Sequence, residues 1–170
     1  MIIGDGDIAQ VLKEVDNEDI IFFASGVSNS KETRPQEFIR EERMVMDLWA
    51  DFQKKRFVYF SSLSIFYNDN SYTKHKRKME ALAKGFKKHT IIRLGNISWG
   101  VNPHTIINYF KNQIANGELV EVQDTYRYVI NKSEFLHWIK MIPDWNCEMN
   151  LPGRMMKVEE ILNEIYIGKL

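Results

Sequence analysis

The most constraining feature of this chain is an alternation of short apolar runs with longer amphipathic stretches. Ile20-Ile21-Phe22-Phe23-Ala24, Phe57-Val58-Tyr59-Phe60 and Thr90-Ile91-Ile92-Arg93-Leu94 are continuous runs. Each stops at small or turn-forming residues: Gly26, Ser61-Ser62 and Gly95. A strand apolar on both faces must be covered on both, which is the condition of a parallel sheet between helical layers. The intervening stretches have helical spacing. Phe38, Val45, Leu48, Trp49 and Phe52 predict a helix over Pro35–Gln53, opened by a capping box of Thr33 and Gln36 with Pro35 between them. Met79, Leu82, Ala83 and Phe86 predict another over Tyr72–Lys88. A very short run, Met1–Ile3, precedes Gly4 and a helical pattern of Ile8, Val11, Leu12 and Val15. Repetition of strand and helix predicts an α/β fold on a doubly wound parallel sheet.

Beyond Gly100 the texture changes. Helices are expected at Thr105–Ala115, Ser133–Met141 and Val158–Tyr166, and short strands at Leu119–Val122, Tyr126–Ile130 and Glu148–Leu151. No Gly/Ser linker or repeat separates this part, so residues 1–100 are expected to form a core and 101–170 a small lobe on the carboxyl end of the same sheet. Charge narrows the function. Lys and Arg number 23 and Asp and Glu 23, so the formal charge of zero gives no bulk attraction to nucleic acid or an anionic membrane. The basic residues Lys74, Lys76, Arg77, Lys78, Lys84, Lys87 and Lys88 read as a solvated helix face, offset by Glu41, Glu42, Asp47 and Asp51. Cys147 is the only cysteine and the four histidines are widely separated, so neither a disulfide nor a metal site is expected. No apolar run approaches the roughly 18 residues of a membrane span, and Met1–Asp5 lacks the basic start of a signal peptide. A cytoplasmic location is expected.

Three stretches carry chemistry. Gly4-Asp5-Gly6-Asp7-Ile8-Ala9 lies between a strand and a helix, where glycines allow a tight turn and close approach of a pyrophosphate; a plain glycine turn is the alternative. Ser61-Ser62-Leu63-Ser64 ends a strand and is followed by Tyr72 and Lys76, four apart and so on one helix face. An ammonium beside a phenol favours its ionised form, which makes proton transfer feasible; a helix-start aromatic beside a solvated lysine is the alternative. Arg93–Gly100 lies at the carboxyl end of a third strand, where ligands of doubly wound sheets bind, though Asn96 would also suit a turn.

Taken in order, these stretches resemble the extended short-chain dehydrogenase/reductase family, the NAD(P)-dependent epimerases and dehydratases of nucleotide sugars. Gly6-Asp7-Ile8-Ala9 is similar to the end of that family's glycine loop, and Ala24-Ser25-Gly26 to its strand-end A-A-G. Phe57–Ser62 with Ser64 resembles V-Y-x-S-S-x-S, and Tyr72–Lys76 with Glu80 resembles Y-x-x-x-K and its trailing acid. Arg93-Leu94-Gly95-Asn96 is similar to R-x-F-N, Arg127-Tyr128-Val129-Ile130 with Glu134 to R-D-F-V…D, and Asn150 falls at the closing strand.

The resemblance implies a Rossmann-like sheet with a C-terminal substrate lobe. It implies NAD or NADP held by Gly4, Gly6, Asp7, Ile8, Ala24, Ser25, Gly26 and Lys76. It assigns catalysis to Ser62, Tyr72 and Lys76, and a nucleotide-sugar substrate to Asn96 and Arg127. It further implies a role in surface-polysaccharide synthesis and a homodimer through the two long helices. The chain departs from the pattern in several places. Only Asp16–Asp19 separate the first helix from the strand similar to the family's fourth, so one or two βα units are missing, among them the one that reads the adenosine ribose. Ser71 stands where the family has proline before the tyrosine. These departures support a second reading, a catalytically inactive binding or scaffold protein that has lost the adenosine-side half of its cofactor site.

Overall fold

Five parallel strands carry the apolar runs of the sequence. The computed structural model describes residues 1–52 and 54–170, so Gln53, the expected end of the first long helix, lies outside the described residues. The main elements in chain order are β1 (Ile2–Ile3), α1 (Asp7–Leu12), β2 (Ile20–Phe23), α2 (Pro35–Asp51), β3 (Arg56–Ser62), α3 (Ser71–Ala83) and β4 (His89–Leu94). After these come β5 (Asn96–Ile97), α4 (Ile106–Ala115), β6 (Tyr126–Ile130), α5 (Lys132–Lys140), β7 (Cys147–Leu151), β8 (Arg154–Lys157) and α6 (Val158–Tyr166). The main sheet has the order β1-β2-β3-β4-β7, parallel throughout. The fold is α/β and Rossmann-like. No helix among the described residues is long and apolar enough to cross a membrane.

Strand alternation explains why the runs had to be continuous. Phe22, Val58, Phe60 and Ile92 point to one face, where Val11 and Leu12 of α1 and Phe135, Leu136 and Ile139 of α5 cover them. Ile21, Phe23, Phe57, Tyr59 and Ile91 point to the other, against Val45 of α2 and Met79 and Ala83 of α3. Each fully buried Phe or Ile contributes about 1.5–3 kcal/mol of apolar transfer. The two layers also reveal a topological oddity. The steps β1→β2, β2→β3 and β3→β4 all run in one direction, yet α1 lies on the face opposite α2 and α3. The β1-α1-β2 crossover therefore has the opposite hand to the other two. Such crossovers are right-handed in about 98% of cases, so the α1 unit is the exception. In a sheet with further strands outside β1, α1 would lead outward to them and keep the usual hand. This geometry agrees with missing βα units between α1 and β2.

A second sheet, β5-β6-β8, pairs β5 with β6 in parallel and β6 with β8 antiparallel. Ile107, Phe110, Val129, Met156, Ile161 and Leu162 form its core with α4 and α6. Beyond residue 100 the chain also returns to the main sheet, as α5 and β7.

Several local expectations are corrected. Leu119–Val122 is not a strand; Leu119 is 98% exposed and no strand among the described residues pairs with it. β8, which the sequence reading missed, is instead the partner of β6. The capping box of Thr33 and Gln36 does not form: Arg34 is the N-cap of α2 and no side chain caps the helix, while Glu32 Oε1 accepts from the amides of Thr33 and Arg34 in the turn before it. α3 ends at Ala83, short of Lys88, and Phe86 beyond it stacks on Phe57 at 4.0 Å.

Candidate functional site

The carboxyl ends of β2, β3 and β4, the loop after β1 and the start of β6 enclose a cleft of about 690 Å³, within the usual range of small-molecule sites. Of the residues singled out from sequence, Gly6, Asp7, Ile8, Ala24, Ser25, Gly26, Ser62, Tyr72, Lys76, Asn96 and Arg127 border it. Gly4 lies behind the wall. Its φ of +123° and the 2.6 Å that would separate a Cβ from the Ala24 carbonyl oxygen make glycine a requirement of the β1–β2 approach. Gly6 is different: a Cβ there meets nothing within 4 Å.

Asp7 has a structural engagement. Its carboxylate accepts from the amides of Val101 and Asn102, each at 3.0 Å, and its carbonyl accepts from Trp99 Nε1 at 3.3 Å. Asp7 thus ties the loop after β5 to the glycine loop. Ser62 caps the short turn Leu63–Phe66: its hydroxyl accepts from the Ser64 amide at 3.2 Å and lies 2.9 Å from Ser64 Oγ. Its neighbour Ser61, at the cleft wall, has a buried hydroxyl with no partner among the described residues.

Tyr72 occupies the first turn of α3, which opens on a capping box of Asn70 and Thr73. Only 6% exposed, it lines the cleft, and its hydroxyl makes no hydrogen bond among the described residues. Lys76 follows one turn later with its Nζ 5.7 Å from the Tyr72 ring centre. The ammonium is 3.0 Å from Tyr59 Oη and 3.3 Å from Glu41 Oε1. Glu41 is fully buried, although its sequence context grouped it with solvated acids. Burial would push its carboxyl up, but the Lys76 charge and hydrogen bonds from His75, Val27 and Tyr59 outweigh it. They hold Glu41 well below the ordinary carboxylate range. Burial, and then the Glu41 charge, push the Tyr59 phenol well above its ordinary value, so it stays a donor.

Asn96 donates from Nδ2 to the Tyr128 carbonyl at 2.9 Å, as a sheet-edge residue would. Arg127 donates to Thr125 Oγ1 and the Tyr126 carbonyl, each at 2.9 Å, and has no carboxylate partner among the described residues. Arg93 faces away from the cleft, buried against Glu80 at 2.6 Å and Glu148 at 2.5 Å. The basic face of α3 is largely paired, Lys78 with Glu42 and Lys84 with Glu148, each at 2.6 Å. Sequence reasoning missed Glu41, Tyr59 and Arg40 as neighbours of the cleft. The signal for Glu41 was its place among Phe38, Val45 and Leu48 on the apolar stripe of α2.

No protein-family model and no curated protein sequence matches the chain. Solved structures do. A UDP-N-acetylglucosamine 4-epimerase from Methanobrevibacter ruminantium, in complex with UDP-N-acetylmuramic acid, has a TM-score of 0.65 at 16% identity, over 92% of this chain and 62% of that one. The Bordetella bronchiseptica enzyme WbmG, in complex with NAD and UDP, has a TM-score of 0.71 at 15% identity, over 95% and 61%. The capsular polysaccharide assembling protein CapF from Staphylococcus aureus has a TM-score of 0.59 at 19% identity, over 94% and 46%. The chain spans about three fifths of the length of the first two. At these identities the likeness is one of fold: the chain has a shortened form of the Rossmann-like architecture of these structures.

Proposed function

We propose that the cleft binds a nicotinamide dinucleotide and a nucleotide sugar, and that the protein is an NAD(P)-dependent epimerase, dehydratase or reductase of that substrate class. The observation that carries this reading is the unpartnered Tyr72 hydroxyl on the cleft wall, one helical turn from Lys76 and bordered by Ser62. The nicotinamide half fits the residues present. Gly6 leaves open space, the Ser61 hydroxyl is unpartnered, and two of the three ammonium hydrogens of Lys76 are engaged, which leaves one for a ribose hydroxyl. When bound, the nicotinamide would accept and return a hydride. Tyr72 exchanges a proton with the sugar oxygen at the reacting carbon, and Ser62 hydrogen-bonds the same oxygen. Arg127 meets a substrate phosphate and Asn96 the sugar. A part in surface-polysaccharide synthesis, and a homodimer through α2 and α3, belong to the same proposal. Ile39 and Met46 of α2 are exposed. The test is turnover of UDP-sugars with NAD or NADP: Tyr72→Phe should lower kcat at least a hundredfold with little change in cofactor affinity. Equal turnover in the variant would remove Tyr72 from the mechanism.

A second reading is favoured by the sheet edge. β1 has two residues and nothing beyond it, so the wall that would hold an adenosine is not built from the described residues. On that reading the fold serves as a binding or scaffold protein, and neither cofactor binds.

A further inference from the structure

Among the described residues, Glu41 is the most deeply buried charged group that the proposed mechanism does not use. It is 0% exposed, and its carboxylate accepts from donors in three parts of the fold. Oε2 takes the Val27 amide at 2.7 Å, from the loop after β2, and His75 Nε2 at 2.9 Å, from α3. Oε1 takes the Tyr59 hydroxyl at 2.7 Å, from β3, and Lys76 Nζ at 3.3 Å, also from α3. Gly26 completes the arrangement, since a Cβ there would lie 2.8 Å from both Glu41 Oε1 and Lys76 Nζ. An apolar side chain would pack α2 against β3 at least as stably as a buried ion pair, so stability alone does not account for a carboxylate here. What the carboxylate does is hold one particular ammonium.

We infer that Glu41 is a positioning residue that acts through Lys76. With Tyr59 it fixes the ammonium against the cleft wall and leaves a single N–H for a bound hydroxyl. The identity of that ligand rests on the proposed function; the anchoring of Lys76 does not. Glutamine cannot substitute. Whichever way its amide is turned, the NH2 faces either the Val27 N–H or the Lys76 ammonium, and neither can accept a hydrogen bond.

The test is a double-mutant cycle on NADH affinity, measured by calorimetry on E41Q, K76M and E41Q/K76M, with thermal melts to confirm folding. E41Q should weaken NADH at least tenfold in the wild-type background and less than twofold in the K76M background. Equal losses in both backgrounds, or no loss, would overturn the inference, because a merely structural role would not depend on Lys76. If E41Q does not fold, Gly26→Ala replaces it: it alters no charge, pushes the pair apart and should give the same non-additive pattern. If the wild type binds neither NADH nor NADPH, the proposed function fails and the inference is decided without ligand. Acetic anhydride should then label Lys76 at least tenfold faster in E41Q, or in Gly26→Ala, than in the wild type, with Lys84 unchanged. Equal Lys76 rates would overturn it.

Discussion

Gly4 and Gly6 stand two residues apart in one loop, and the structure gives them opposite roles. Alanine at Gly4 meets two penalties. A φ of +123° is strained for any residue with a Cβ, and that Cβ would lie 2.6 Å from the Ala24 carbonyl oxygen and 2.7 Å from its carbon, both backbone atoms in the parallel β1–β2 pair. Strain of this kind costs about 1–3 kcal/mol, and forcing an atom into a packed position about 1–3 kcal/mol more. The restricted unfolded chain returns about 0.4–1 kcal/mol, so a net loss of about 3 kcal/mol is expected for Gly4→Ala. For a chain of 170 residues, each kcal/mol lowers Tm by about 2–4 °C, so the melting point should fall by roughly 6–12 °C. At Gly6 the φ is −72° and nothing lies within 4 Å of the new methyl. A poorer N-cap costs about 0.5–1 kcal/mol and the restricted unfolded chain returns about 0.4–1 kcal/mol, so Gly6→Ala should melt within about 2 °C of the wild type. Differential scanning calorimetry of the two variants decides the matter. Equal destabilisation by both, or a silent Gly4→Ala, would refute the division between an architectural glycine and one with open space beside it.

Stability should fall at both ends of the pH range. Glu41 has a folded pKa below its unfolded value, so its contribution is present above the unfolded carboxylate range and is lost as pH falls through and below it. Tyr59 has its pKa raised, so its contribution is present below the unfolded phenol value near 10 and is lost above it. Urea midpoints followed with pH should drop on both sides, and a flat profile would contradict the buried network. Phe135→Ala, at a fully buried site, should cost about 3–5 kcal/mol in urea melts, whereas Leu119→Ala, at an exposed one, should change stability by less than about 0.5 kcal/mol. Asp7→Ala removes the acceptor of two amides and should cost about 1–3 kcal/mol. Hydrogen exchange should then show Val101 and Asn102 losing protection, and unchanged exchange would dissociate Asp7 from that loop.

The sheet was readable because burial on both faces leaves an unmistakable run of apolar residues, as in Ile20–Phe23 and Phe57–Phe60. α6 was readable to the residue, since Val158, Ile161, Leu162 and Ile165 repeat at helical spacing on one packed face. β8 was hidden because Arg154-Met155-Met156-Lys157 has one inward side chain, Met156, and its strand state depends on pairing with β6. Leu119–Val122 misled for the converse reason: the residues favour a strand, but no strand among the described residues pairs with them. At the cleft, residue types and spacing left Tyr72 and Lys76 open between a proton-transfer pair and a plain helix start, and it was the family resemblance that assigned them, with Ser62, to catalysis. Glu41 stayed hidden because a charged residue on an apolar stripe reads as solvated until its partners are known, and those come from β3, α3 and the loop after β2. The exceptional hand of the α1 crossover could not be read at all, since handedness depends on which face a helix covers.

The central claim is that the cleft takes a nicotinamide dinucleotide although no strand among the described residues lies outside β1. Calorimetric titration of the intact protein with NADH and, separately, NADPH tests it most directly, with Gly6→Glu filling the open space of the glycine loop. The account predicts saturable binding of at least one dinucleotide by the wild type and its loss in the variant at unchanged melting temperature. Absence of binding by the wild type at millimolar cofactor, or equal binding by Gly6→Glu, would contradict it.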